Sequence, residues 1–148
     1  AYLREELAER LCDPAYIASF APGTVGATYR GFLEKTGYSA DGLAKVSNLN
    51  QEPVVEDAYM WFGRRTRDIH DIWHVLTGYR ADESLGEAAL VAFSYAQTGG
   101  KGWAFIAVAA ALKSWRLTGS LAFARAVLEG YRLGKRAKWL LAEITMRC

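Results

Sequence analysis

The chain has two histidines, and they stand four residues apart in His70-Asp71-Ile72-Trp73-His74. On an α-helix such a pair differs by about 40° around the axis and ~6 Å along it, so both imidazoles leave one face. Asp71, three residues before His74, borders the same arc. Two imidazole nitrogens and a carboxylate in one arc are a donor set for a divalent transition metal. Zinc, iron, cobalt or manganese suit it in preference to calcium or magnesium, which favour oxygen donors. The competing reading is a pair of ordinary, partly buried imidazoles. Asp71 is then a solvated helix charge or the acceptor that orients a neighbouring ring.

Glu87 is the next donor along the chain. The helix carrying His74 is expected to end at Gly78, and Ser84-Leu85-Gly86-Glu87 has the pattern of a capping box that opens the following helix. The short connection predicts an antiparallel hairpin. His74 then lies ~6 Å before the turn and Glu87 ~4.5 Å past its cap, depths at which the two side chains can meet. The capping box alone accounts for Glu87 equally well. Arg67, three residues before His70, falls on the same predicted arc. A guanidinium beside a metal calls for an anion between them, which assigns Arg67 to a substrate carboxylate, with pairing to Asp68 or Asp71 as the alternative.

The elements that must hold these residues read as helices. Leu3, Leu7 and Leu11 recur at helical spacing, and Asp13-Pro14 pairs a cap with a first-turn proline. Thr24 after Pro22-Gly23 caps a helix that Gly37 ends, and a short helix is expected over 41–46. Pro53 opens the apolar stretch 54–62, Gly63 offers a break, and 64–77 continues to Gly78. Further helices are expected over 84–96, over 103–115 after Gly99-Gly100, and from Gly119-Ser120 through 141. No segment alternates with a period of two. The expectation is an all-α, single-domain bundle of roughly six to eight helices spanning 1–148.

Composition narrows the function classes. Hydrophobic residues make up 51% and charged residues 23% of 148, which describes a chain with a core of its own. Two cysteines, Cys12 and Cys148, form no C-x-x-C pair, so a reducing, intracellular setting is the default. The longest apolar run, 102–112, is well short of the ~20 residues a spanning helix needs, and no signal peptide is visible. Ala1 in place of Met leads us to expect further chain at one or both ends. Charge is uneven: residues 1–112 carry 10 Lys+Arg against 14 Asp+Glu, and 113–148 carry 8 against 2. Arg125, Arg132, Lys135, Arg136 and Lys138, beside Trp139, Leu140 and Leu141, suit peripheral contact with an anionic membrane, a solvated face being the alternative. A net charge of +2 and the lack of a recognisable motif argue against nucleic acid.

The motif resembles the signature of a known family, the ubiquinone (coenzyme Q) biosynthesis protein numbered four: His-Asp-x-x-His followed about eleven residues later by Glu. Here twelve residues separate His74 from Glu87, with Glu83 as the competitor if the register differs. Pro22-Gly23-Thr24-Val25-Gly26-Ala27-Thr28-Tyr29, the arginines from Arg64 onward, Leu85-Gly86-Glu87, Gln97-Thr98-Gly99 and Tyr131-Arg132-x-Gly134-x-x-Ala137 are similar to family segments as well, so most of the chain is covered. The resemblance implies a helical protein that binds a divalent metal through His70, Asp71, His74 and Glu87. These residues would serve catalysis as ligands. It further implies a polyprenylated hydroxybenzoate substrate, whose ring carboxylate at C1 is removed while a hydroxyl is installed there, and other ubiquinone-synthesis proteins as partners. Its expected place is the cytoplasmic face of a bacterial inner membrane or the matrix side of the mitochondrial one, with a homo-oligomer left open.

Such chemistry needs a Lewis acid for the carboxylate or phenolate, an acid/base and access for dioxygen. Zinc has no redox chemistry, so either a redox metal sits there or the electron-rich phenol supplies the electrons. Trp61, Phe62, Trp73, Phe93 and Trp103 are candidates for a channel around the prenyl tail, or are plain core. Two other classes compete. A metal-dependent hydrolase of the His-Asp type needs further histidines, and zinc peptidases carry Glu rather than Asp after the first His. A non-enzymatic, metal-stabilised lipid-binding scaffold of a quinone-synthesis complex is the other.

Overall fold

Short polar side chains set the helix starts. Asp13 accepts the Ala15 N–H at 2.9 Å, Thr24 the Ala27 N–H at 3.2 Å and Asp57 the Met60 N–H at 2.8 Å, each satisfying a donor that has no partner inside its helix. The computed structural model describes residues 7–42, 45 and 57–140. Among these are eight α-helices and no strand, the all-α class expected: α1 (Leu7–Leu11), α2 (Pro14–Ala18), α3 (Val25–Thr36), α4 (Ala58–Asp68), α5 (His70–Thr77), α6 (Ser84–Thr98), α7 (Lys101–Thr118) and α8 (Ala122–Arg136). Gly37 ends α3 and Gly99 ends α6, both at φ near +70°, a left-handed conformation that costs glycine nothing. The helix expected over 41–46 and the start of the 54–62 stretch fall largely outside the described residues, as do Leu3 and Leu141.

The chain divides into two compact units, one ending at Leu76 and the other beginning at Thr77. In the first, α1 packs on α2 and α4, and α2 on α3. Leu7, Leu11, Tyr29, Trp61, Ile69 and Trp73 are among its buried residues. The break expected at Gly63 is absent. α4 runs straight through that glycine, where an added Cβ would meet nothing, and the turn comes instead at Ile69, whose backbone (φ −92°, ψ 0°) leaves helical geometry. Ile69 is fully buried, so packing rather than a glycine or proline makes the turn.

In the second unit α6 is central, buried at every position from Ala88 to Ser94. α8 lies along α6 more extensively than α7 does. Two glycines permit that approach: a Cβ on Gly130 would collide with the Ala89 backbone, and one on Gly134 would stand 2.8 Å from the Phe93 carbonyl oxygen. Gln97 ties the far end, donating Nε2 to the Gly134 carbonyl at 2.7 Å and accepting the Leu140 N–H at 2.9 Å. α7 adds Trp103 and Ala107 against Val91 and Ala92. No helix among the described residues is long and apolar enough to cross a membrane.

Candidate metal centre

α5 is only eight residues long, yet Ile72, Trp73, His70 and His74 are all buried on it, so most of its circumference faces protein. The four-residue spacing does what helical geometry requires. A ring nitrogen of His70 and one of His74 lie within 4.8 Å of each other, with ring centroids 5.0 Å apart and planes at 89°. Two nitrogens on one ion stand at most about twice a 2.0–2.1 Å bond apart, which small ring rotations in this pair can reach. Phe32 of α3 stacks on His74 at 6.4 Å and 11°, and Tyr29 stacks on Phe32 at 6.2 Å and 16°. This aromatic column restrains the plane of His74. It also brings the helix that follows Pro22-Gly23-Thr24 against the His-Asp-x-x-His helix, two stretches the sequence reading singled out separately.

Asp71 is half-buried between the histidines in sequence. The Tyr29 phenol is pushed well above its ordinary range, first by burial and then by the neighbouring Asp71, Cys12 and Asp68, and it stays neutral. The donor chemistry fits a borderline divalent ion: buried imidazoles, a neighbouring carboxylate and a low-dielectric surround.

Asp68, named in the sequence reading only as an alternative partner of Arg67, has a second structural role. Its buried carboxylate accepts the Ala8 N–H at 3.2 Å and both Nε and Nη2 of Arg67, at 2.9 and 2.8 Å. It thus joins α1 to the end of α4, one residue before the turn into α5. An acid at the last position of a helix opposes the helix dipole, and that was the available signal that Asp68 had another task. Arg67 sits on α4, across the Ile69 turn from the histidines' helix, and its guanidinium pairs with Asp68, the alternative partner named in the sequence reading.

Glu87 stands in the second unit as the fourth residue of α6, half-buried. The expected capping box is not formed. The cap residue is Glu83, without a side-chain cap bond, and Ser84 is already helical, so the capping explanation of Glu87 falls away. Gly86 sits beside it because a Cβ there would press on the Arg80 backbone, 2.8 Å from its nitrogen. The five aromatic candidates divide between the units: Trp61 and Phe62 on α4 and Trp73 on α5, then Phe93 on α6 and Trp103 on α7. Trp73 and Phe93 are fully buried, and Arg64 lies 4.8 Å over Trp61. A cavity of about 500 Å³ in the second unit is lined by Tyr79, Arg80, Glu83, Arg125 and Glu129 among others, and by none of the five. Burial, and then Glu129, raise the Tyr79 phenol above its ordinary value.

Comparison with known proteins gives one consistent answer. The family model described as coenzyme Q (ubiquinone) biosynthesis protein Coq4 matches residues 3–142, which include all four proposed ligands. A protein named ubiquinone biosynthesis protein COQ4, mitochondrial, from Ajellomyces dermatitidis is 35% identical over 95 residues, 64% of this chain and 31% of that protein. Its namesake from Podospora anserina is 40% identical over 83 residues, 56% and 26% of the two chains, and the one from Neurospora crassa is 36% identical over 95, 64% and 26%. The matched stretches thus cover about a quarter to a third of these relatives. No solved structure matches the chain. With a match across nearly its whole length, the chain belongs to the Coq4 family of coenzyme Q (ubiquinone) biosynthesis proteins.

Proposed function

We propose that this chain acts in ubiquinone biosynthesis as a metal-dependent oxidative decarboxylase, replacing the C1 carboxyl of a polyprenyl-hydroxybenzoate by hydroxyl. The observation that carries the reading is the buried His70–His74 pair, its ring nitrogens within 4.8 Å and one ring held by Phe32. His70, His74, Asp71 and Glu87 would hold a divalent transition metal, with Asp71 as a ligand or as the acceptor fixing an imidazole. When bound, the metal supplies a Lewis acid for the substrate carboxylate or phenolate. Glu87 is included because it completes the family pattern. The chain's own residues do the rest by keeping water out: Trp73 and Ile69 close the core around the pair, and neutral Tyr29 adds no charge.

The exchange is a two-electron oxidation. The ring–carboxyl bond breaks, carbon dioxide leaves, one atom of dioxygen becomes the new hydroxyl oxygen, and the other leaves as water on taking two electrons and two protons from an external two-electron donor of the reduced nicotinamide or flavin class. The relatives' names place those proteins in mitochondria, and this reading gives the present chain an equivalent place beside other quinone-synthesis proteins. The test is release of labelled carbon dioxide from a carboxyl-labelled, prenylated 4-hydroxybenzoate by metal-loaded protein. Turnover that disappears in His70→Ala supports the enzyme. No release with any of zinc, iron, cobalt or manganese would leave the scaffold reading.

A further inference from the structure

α7 is apolar on almost every side. Its inner face packs Trp103 and Ala107 into the core of the second unit, but Phe105, Val108, Leu112 and Trp115 on its outer face are exposed, Phe105 by 75%. Steps of three, four and three residues align these four in a single stripe along the helix. A helix that is hydrophobic all round is one that something covers.

The charge pattern says what covers it. From residue 88 to residue 128 the chain has no Asp or Glu, yet it carries Lys101, Lys113, Arg116 and Arg125. Lys101 and Arg116 are exposed at the two ends of the stripe. A second copy of this face would set cations against cations with no acid to pair them, a costly juxtaposition. An anionic lipid surface meets both requirements: acyl chains take the apolar stripe, while lysine and arginine reach back to phosphates at the headgroups. Trp115, an indole near one end of the stripe, suits the headgroup boundary.

We propose that α7 lies in the interface of an anionic bilayer, with Phe105, Val108, Leu112 and Trp115 inserted and Lys101 and Arg116 at the lipid phosphates. This face differs from the basic 125–141 segment that the sequence suggested for membrane contact. It belongs to the second unit alone and is independent of the metal reading.

The test is flotation of the whole chain with vesicles of phosphatidylcholine, with and without phosphatidylglycerol. Binding is expected to be at least about tenfold stronger to the anionic vesicles and to weaken in high salt. Phe105→Asp/Leu112→Asp should abolish flotation, and Lys101→Glu/Arg116→Glu should remove the anionic preference, both with unchanged helical circular dichroism. Since the substituted residues are exposed, folding is expected to survive; Trp115→Phe with brominated acyl chains gives a gentler check, through loss of tryptophan quenching. The proposal is overturned if the wild-type chain does not float, if the double aspartate variant still does, or if brominated lipid quenches the wild type and Trp115→Phe equally. It also fails if Lys135→Glu/Arg136→Glu abolishes binding while the α7 variants retain it, or if sedimentation without lipid shows a dimer that the aspartate pair dissociates, which assigns the face to a second copy.

Discussion

The two units bury different kinds of residue. The first encloses Arg65, Thr66, Asp68, His70 and His74 among its aromatics, whereas the only buried polar side chain described in the second is Ser94, whose hydroxyl donates to the Leu90 carbonyl of its own helix. Burying ions and imidazoles costs stability unless partners are supplied, as Asp68 supplies one to Arg67 in the first unit. A core of Ala88, Ala89, Leu90 and Ala92, crossed by glycines of a neighbouring helix, is retained for close packing. The difference teaches where to look: donors for a ligand in the first unit, and rigid support with an outward apolar face in the second.

That contrast can be broken most severely in the second unit. Gly130→Leu would drive a side chain into the Ala89 backbone, and we expect a loss of about 3 kcal/mol or more, read as a lower denaturant midpoint. An unchanged midpoint would mean that α6 and α8 are not in close contact. In the first unit, Asp68→Ala leaves the Ala8 N–H and the Arg67 guanidinium without their acceptor, a cost of about 1–3 kcal/mol. Hydrogen exchange should show Ala8 losing protection while α8 keeps its own. Equal loss in both units would erase the distinction drawn between them. Gln97→Ala, which removes both side-chain bonds to the end of the second unit, is expected to cost about 1–2 kcal/mol.

The smallest effect is the most specific. The Tyr29 hydroxyl makes no hydrogen bond among the described residues, so Tyr29→Phe should leave stability within about 1 kcal/mol of the wild type or raise it. It should also change the pH dependence. A phenol whose folded pKa is raised contributes stability that is fully present below the unfolded value near 10 and is lost as pH climbs above it, because only the unfolded chain ionises there. Urea titrations above pH 10 should therefore show a shallower decline for the variant; parallel curves would mean that Tyr29 is not buried beside Asp71 and Asp68.

Much of this was legible beforehand for physical reasons. The histidine spacing reads directly because helical geometry is local, and the Asp13 and Thr24 starts and the Gly37 and Gly99 ends read because capping is local too. What misled was equally local. Gly63 looked like a break, but a single exposed glycine in a helix costs only about 1 kcal/mol, which surrounding packing offsets. The real turn, at Ile69, carries no glycine or proline because tertiary burial creates it. Ser84 fitted a capping pattern, yet α6 begins one residue earlier in register, with Glu83 as its cap. The bond from the Ala8 N–H to Asp68 is not legible because the two residues are sixty apart in sequence.

The central claim is that His70 and His74 hold a metal. Elemental analysis of the chain purified without chelator measures this directly, beside the His70→Ala/His74→Ala variant with its helicity verified. The account predicts about one divalent transition-metal ion per wild-type chain and essentially none in the variant. A wild-type chain that is metal-free and takes up none when supplied, or a variant that keeps its full complement, would contradict it.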